Sequence, residues 1–191
     1  IPRTAWQARP PTGPCKPHTI SSISIHHTAT ETRDNTRSPA RLQSYQRYHQ
    51  DNKGWTDLAY HLFVDLDGHV YAGRNHACVG DTSTNYDPQG HLLIVLEGNF
   101  EIQKVRADAF ETLAELVIWA VETFNVKPEN IKTHRDLAAT ACPGQNLFRK
   151  IQAELPGRMA QIRAKKGPLS LEVLNGSDAY ILLGKIKTDA R

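Results

Sequence analysis

The first pattern along the chain is an alternation of apolar and polar residues that leads up to His26, in the segment Ile20-Ser-Ser-Ile-Ser-Ile-His26. This alternation has the period of a half-buried β-strand. Successive side chains of a strand point to opposite faces, so His27 lies on the apolar side with Ile23 and Ile25, whereas His26 lies on the other side. Adjacent histidines in a strand do not easily share one metal ion. The pattern therefore selects His26 as the histidine that faces a cleft.

The following patterns predict a succession of helices and strands. Ser38-Pro39 is typical of a helix start, and the apolar spacing beyond it predicts a helix that ends near Asn52 to Gly54. The segment from Asp108 to Phe124 has the i, i+3, i+4, i+7 spacing of an amphipathic helix. Strands are predicted at Leu62 to Asp65, Val70 to Ala72, Leu92 to Leu96 and Ile131 to His134, and a closing helix at Leu147 to Leu155. The predicted fold class is α/β, with a central mixed β-sheet and flanking helices.

The chain changes in character after Pro156-Gly157. We therefore expect a main domain at residues 1–156 and a small C-terminal extension at residues 157–191. Within the extension, the apolar segments Leu169 to Leu174 and Ala179 to Ile186 flank Asn175-Gly176, a pair typical of tight hairpin turns. The pattern predicts a β-hairpin appended to the main domain.

Composition excludes several classes of protein. The 191 residues are 39% hydrophobic and 23% charged, which suits one globular unit. No apolar run approaches the roughly 18 residues of a membrane span. A net charge of +3 with scattered basic residues does not indicate nucleic acid, but it suits a polyanionic surface such as a cell wall. Cys142 aside, Cys15 and Cys78 could form a disulfide or both be buried thiols.

Two residues of types that bind zinc lie close together late in the chain. His134 and Cys142 are eight positions apart, and Pro143-Gly144 follows the cysteine. With His26 they would supply three protein ligands and leave the fourth position for water, as in catalytic zinc sites. The spacing alone has a structural alternative, a satisfied buried histidine and an inert buried cysteine. A further alternative is a cysteine hydrolase that uses Cys142 as nucleophile with a histidine base.

Six motifs in a fixed order give a more specific indication. They are Ile25-His-His-Thr-Ala29, Gln46-Arg-Tyr-His49, Gly54-Trp-Thr-Asp-Leu-Ala-Tyr60, Asp67-Gly-His-Val-Tyr-Ala-Gly-Arg74, Glu97-Gly-Asn-Phe100 and His134-Arg-Asp…Cys142-Pro-Gly. Together they resemble the peptidoglycan recognition protein and type 2 amidase family, which includes the phage T7 lysozyme amidase. The resemblance runs from about Arg3 to about Leu155. It implies an α/β amidase fold with a zinc cleft.

The resemblance also implies roles for individual residues. His26, His134 and Cys142 match the zinc ligands of the family, so Zn²⁺ is the expected cofactor. Tyr60 matches the catalytic tyrosine. Thr140 stands where phage relatives have lysine and many animal relatives have threonine, and we expect it to assist catalysis.

A second set of matches concerns the substrate. His49 matches a histidine of the substrate groove. Gly54, Trp55 and Arg74 match positions that relatives use to favour stem peptides with meso-diaminopimelate over lysine, because a guanidinium recognises the extra carboxylate.

The expected function is therefore that of a zinc-dependent N-acetylmuramoyl-L-alanine amidase. It would hydrolyse the amide between the muramoyl lactyl group and L-alanine, and bacterial peptidoglycan or its muropeptides would be the partner. We expect a monomer that is secreted or located in the periplasm or cell envelope. The alternative is a non-catalytic module that recognises muropeptides, but non-catalytic relatives commonly carry serine where this chain has Cys142.

Overall fold

Five strands form one mixed sheet with helices on both faces, in a computed structural model that describes residues 1–188. The strands are β1 (Ser22–His27), β2 (Leu62–Val64), β3 (Val70–Ala72), β4 (His91–Leu96) and β5 (Ile131–Thr133). The helices are α1 (Ser38–Arg47), α2 (Ala107–Phe124), α3 (His134–Leu137), α4 (Gln145–Lys166) and α5 (Gly176–Thr188). A π-helical segment, Tyr48–Asn52, continues α1, and a 3-10 turn, Pro128–Asn130, precedes β5. The α/β prediction and the predicted end of the first helix are confirmed.

The order of the strands brings distant parts of the chain together. The sheet has the order β3-β2-β4-β1-β5, in which β1 is parallel to both β4 and β5. Strand β2 is parallel to β4, and β3 pairs antiparallel with β2. Since the carboxyl ends of parallel strands lie at the same edge of a sheet, the residues that follow β1 and β5 are neighbours.

The sheet has an apolar core on each face. On one face, Ile23 and Ile25 of β1 pack with the helices α2 and α4. Their spacing of two places both side chains on the same side of the strand. On the other face, Phe63 of β2 and Val95 of β4 pack against Trp6 near the N-terminus and against the helices α1 and α5. The second core therefore includes the C-terminal part of the chain.

The helix α4 is longer than predicted and passes through the expected domain boundary. It runs to Lys166 with Pro156 inside it, although proline removes a backbone donor and disfavours a helix interior. The helix continues because Leu155, Met159 and Ile162 are buried in the first core on either side of Pro156. No secondary-structure element therefore ends at the boundary between residues 156 and 157.

The predicted β-hairpin in the C-terminal extension is wrong. Asn175-Gly176 begins the helix α5 rather than a tight turn, because the Asn175 side-chain oxygen accepts a hydrogen bond from the backbone N–H of Asp178 at 3.0 Å. This contact satisfies a donor that would otherwise be unpaired at the start of a helix. Ala179, Leu183 and Ile186 then recur at helical spacing and are buried in the second core. Residues 189–191 of the predicted extension lie outside the described part.

A disulfide joins Cys15 to Cys78 across 63 positions of the chain. It ties the segment before β1 to the loop after β3, where Pro17 and Cys78 also form an isolated β-bridge. Among residues 1–188, no helix has the length and apolar character needed to cross a membrane.

Candidate metal centre and substrate cleft

Three candidate metal ligands meet at the carboxyl edge of the sheet. His26 belongs to β1, His134 is the first residue of α3 directly after β5, and Cys142 lies in the loop before α4. A ring nitrogen of each histidine and the Cys142 Sγ lie within 4.8 Å of one another. Within residues 1–188 these three residues form the only such group of His, Cys, Asp or Glu. The short helix α3 is held by Thr133 and Asp136, which form a capping box at its start.

The alternation along β1 separates the two adjacent histidines as predicted. His26 is on the side of the two other candidate ligands. His27 instead stacks on the ring of Phe100, with 6.2 Å between ring centroids, and its Nδ1 accepts a hydrogen bond from the backbone N–H of Phe100 at 3.2 Å. The prediction that His26 faces the cleft is confirmed.

Hydroxyl groups hold the outer nitrogens of both candidate histidine ligands. The His26 Nε2 lies 3.1 Å from the Ser24 hydroxyl and 3.3 Å from the Tyr86 hydroxyl. The His134 Nε2 lies 2.7 Å from the Thr84 hydroxyl. The Nδ1 of each ring is thereby left for a metal, and the Nδ1 of His26 is 3.7 Å from the Cys142 Sγ. Such outer hydrogen bonds fix the tautomer and orientation of a metal-binding imidazole.

Sequence reasoning missed Ser24, Thr84 and Tyr86. Ser24 lies two positions before His26 in β1, so strand alternation alone could have placed it beside that histidine. Thr84 and Tyr86 lie in an irregular loop between β3 and β4, where no periodicity indicates the direction of a side chain. Their position depends on the tertiary path of the loop.

The protonation states of the three groups suit metal binding. Burial lowers the pKa of His134 to about 4 and lowers that of His26 as well, so both rings are neutral near pH 7 and can donate a nitrogen lone pair. Burial raises the pKa of the Cys142 thiol to about 12 in the absence of a metal. A cysteine nucleophile acts as a thiolate, so this environment does not suit a cysteine hydrolase. A bound divalent cation would instead displace the proton and stabilise the thiolate.

The residues expected to act in catalysis line the same cavity as the candidate ligands. This cavity has a volume of about 280 Å³ and includes Tyr60, Thr140 and His49 in its lining. The centroids of the Tyr60 and His26 rings are 5.3 Å apart. Burial raises the pKa of Tyr60 above its usual value, so the phenol keeps its proton and remains a hydrogen-bond donor. The Thr140 Oγ1 accepts the backbone N–H of Cys142 at 3.2 Å, which leaves its own O–H able to donate.

His49 has one fixed and one available nitrogen. Its Nδ1 accepts a hydrogen bond from the backbone N–H of Ala59 at 3.1 Å. Burial lowers its pKa to about 4, so near pH 7 the ring is neutral and carries its proton on Nε2. The ring packs against Trp55 at a centroid distance of 4.8 Å.

A second cavity of about 420 Å³ adjoins the first. Trp55 and Asp81 line both cavities, so the two adjoin at these side chains, and we call them together the cleft. Gly54 and Arg74 line only this second part, which we call the far cavity. The expected site residues thus line two adjoining cavities, and Arg74 is not unpaired: this side chain is 7% exposed and hydrogen-bonds to the protein itself.

The comparison with protein families agrees with this site. A family model described as N-acetylmuramoyl-L-alanine amidase (Amidase_2) matches residues 16–145, which include His26, His134 and Cys142. The chain belongs to the N-acetylmuramoyl-L-alanine amidase family.

Individual relatives in this family differ in what their names describe. Human N-acetylmuramoyl-L-alanine amidase is 34% identical over 154 residues, which cover 77% of this chain and 27% of the human protein. Mouse peptidoglycan recognition protein 1 is 31% identical over 161 residues, covering 80% of this chain and 86% of the mouse protein. The chain therefore spans about a quarter of the human relative and most of the mouse relative.

The solved structure of a recognition protein agrees with the fold of this chain. The crystal structure of peptidoglycan recognition protein-LE in complex with tracheal cytotoxin, a monomeric diaminopimelic acid-type peptidoglycan, has a TM-score of 0.72 with this chain. The identity is 29%, and the match covers 80% of this chain and 91% of that one.

Proposed function

We propose that this chain is a zinc-dependent N-acetylmuramoyl-L-alanine amidase, which hydrolyses the amide between the muramoyl lactyl group and L-alanine. The proposal depends above all on the group of His26, His134 and Cys142 beside a protonated tyrosine in one cleft. Two imidazoles and a thiolate suit zinc, and three protein ligands leave one coordination position for the reaction. A protein that only recognises peptidoglycan has no need of this donor set.

The surrounding residues support an amide hydrolysis. When bound, zinc supplies electrophilic activation of the scissile carbonyl and hydroxide near neutral pH. The Tyr60 phenol donates a hydrogen bond to the carbonyl oxygen, on which negative charge develops in the transition state. Thr140 and the Nε2–H of His49 donate further hydrogen bonds to substrate oxygens and so orient the peptide. None of these three side chains carries a positive charge near pH 7.

The shape of the cleft supports a stem peptide as substrate. The scissile bond lies at the metal centre, and the peptide extends past Trp55 into the far cavity beside Gly54 and Arg74. We propose peptidoglycan of the meso-diaminopimelate type, because Gly54, Trp55 and Arg74 line the far cavity and match the positions at which relatives favour diaminopimelate over lysine. The related recognition protein-LE binds a diaminopimelic acid-type ligand, as its structure is described.

The disulfide supports a location outside the reducing cytosol. Disulfides such as Cys15–Cys78 form and persist in oxidising compartments. We therefore propose that the protein is secreted or acts in the periplasm or cell envelope.

The test is to measure bound zinc and the release of soluble peptide from diaminopimelate-type peptidoglycan. Wild type should bind one zinc ion per chain and release peptides that begin with L-alanine. Cys142→Ser and His134→Gln should lose zinc and activity together, whereas His76→Gln, which changes an exposed histidine outside the cleft, should keep both. Wild-type protein that contains no zinc and binds muropeptides without cleaving them would make the chain a recognition module.

A further inference from the structure

Nearly all N–H donors of the Arg74 guanidinium are hydrogen-bonded to acceptors within the protein. Its Nε donates to the backbone carbonyl of Leu58 at 2.8 Å, and one terminal nitrogen donates to the carbonyl of Val79 at 2.6 Å. The other terminal nitrogen donates to the carbonyl of Asp57 at 3.2 Å and to the carboxylate of Asp81. An arginine side chain has five N–H donors, so one remains.

One remaining donor is too few for the usual recognition of a carboxylate. Arginine binds carboxylates through two parallel N–H···O bonds, and this geometry provides both affinity and orientation. The remaining N–H is on the terminal nitrogen that binds Val79, whereas both N–H groups of the other terminal nitrogen are already bound to Asp57 and to the carboxylate of Asp81. The positive charge of Arg74 is therefore neutralised within the protein.

Asp81 is also well placed to meet the substrate. Its side chain is 30% exposed, whereas that of Arg74 is 7% exposed. It lies where the far cavity adjoins the cavity that contains the candidate metal ligands. A peptide that passes from one cavity to the other therefore passes the carboxylate of Asp81 before it reaches the guanidinium.

The other charges of the far cavity do not favour an added carboxylate. Its lining contains two cationic side chains, Lys16 and Arg74, and three carboxylates, Asp57, Asp81 and Asp87. Asp57 pairs with Arg3, at 3.0 Å between the guanidinium nitrogen and the carboxylate oxygen. With Asp57 neutralised by Arg3, the remaining carboxylates, Asp81 and Asp87, balance the two cations, so the far cavity has no excess of positive charge to attract an added carboxylate.

We propose that Asp81 is a specificity-determining residue of the cleft. By binding Arg74 it removes the preference for a free carboxylate on the third residue of the stem peptide, so that a diaminopimelate whose side-chain carboxylate is amidated is accepted about as well as the free acid. This inference rests on the proposed amidase function, because it concerns the peptide that enters the same cleft. On this inference, Arg74 has a structural role and supports the wall of the cleft together with Asp81.

The test uses two muropeptides that differ only in the free or amidated carboxylate of diaminopimelate. For wild type we expect the ratio of kcat/KM for the free acid to that for the amide to be at most about threefold. Asp81→Asn removes the competing negative charge and should raise this ratio about tenfold or more. Asp87→Asn is the matched control, since it neutralises another carboxylate of the far cavity that does not contact Arg74, and should leave the ratio within about twofold.

A wild type that prefers the free acid by more than about threefold, or an Asp81→Asn variant with an unchanged ratio, would overturn the inference. An equal rise of the ratio in Asp87→Asn would also overturn it, because general charge and not the contact with Arg74 would then be responsible. If wild type cleaves neither muropeptide, the amidase proposal fails separately. The ratio of dissociation constants, measured calorimetrically for the same ligands and variants, then decides the role of Asp81.

Discussion

The hydrogen bond between Thr84 and His134 allows a quantitative prediction for metal binding. Thr84→Val removes the hydroxyl 2.7 Å from the His134 Nε2 and keeps the shape of the side chain. His134 then loses the nearer of the two hydroxyls at its Nε2 and keeps only that of Thr82 at 3.5 Å, so its proton is held less firmly on Nε2 and its Nδ1 less firmly towards the metal. Loss of an outer partner of this kind typically lowers metal affinity by about 10- to 100-fold.

The structure places the expected effect at the lower end of this range. Only one of the three candidate ligands is affected, because Ser24 and Tyr86 still hold His26. A single hydrogen bond contributes a net free energy of about 0.5–1.5 kcal/mol. The upper part of this interval corresponds to a factor of about ten in the zinc dissociation constant.

Zinc affinity can be measured by competition with a chromophoric chelator at pH 7.4. Thr84→Val should weaken zinc binding about tenfold, and Thr84→Ser, which keeps the hydroxyl, should bind within about threefold of wild type. Equal zinc affinities for wild type and Thr84→Val, with both proteins folded, would refute the role of this hydrogen bond. So would an equal loss in Thr84→Ser, because the threonine methyl group would then be responsible.

Three further predictions concern catalysis and stability. Tyr60→Phe should keep stoichiometric zinc but lower the rate of peptide release by about 10²- to 10³-fold, since it removes one donor to the developing oxyanion; an unchanged rate would remove Tyr60 from the mechanism. Leu183→Ala, at a position 3% exposed on α5, should lower the free energy of unfolding in urea by about 2–5 kcal/mol, whereas Ile181→Ala, 59% exposed on the same helix, should change it by less than about 0.5 kcal/mol. Equal effects would show that α5 does not pack on the second core in solution. Replacement of both Cys15 and Cys78 by serine should cost about 2–4 kcal/mol, because the disulfide closes a loop of 63 positions in the unfolded chain; an unchanged unfolding midpoint would contradict this.

Sequence patterns predicted the strand and the helix that each bury one face in the core on the central sheet. Strand β1 shows its alternation because one face contacts the first core and the other faces the cleft. Helix α2 shows its helical spacing because it lies along the same core. For both, the direction of each side chain follows from the period of the element, so His26 could be distinguished from His27.

The C-terminal region could not be predicted in the same way. Asn-Gly is common in tight turns, but Asn is also a preferred residue at helix starts, and the choice depends on what the following apolar residues contact. Ala179, Leu183 and Ile186 contact a surface formed by Trp6 and other residues far away in the sequence. No local pattern describes that surface.

The sequence predicted which residues line the cleft, but it could not predict the hydrogen bonds that these residues make. The family resemblance indicated Arg74 as a substrate residue, yet its acceptors are backbone carbonyls and a carboxylate whose positions depend on the paths of two segments, one before β2 and one after β3. Three of the four acceptors are peptide oxygens, which any residue supplies, so the sequence carries little indication of them.

The positions of the candidate ligands also have a consequence for the connectivity of the folded chain. His26 and Cys142 are 116 positions apart, so a zinc ion bound between them would close a second large ring beside the covalent ring from Cys15 to Cys78. The two rings overlap in the segment from residue 26 to residue 78. A reductant would open only the covalent ring and a chelator only the metal ring. The same stretch of backbone would thus be restrained by two cross-links, each of which can be removed without breaking the other.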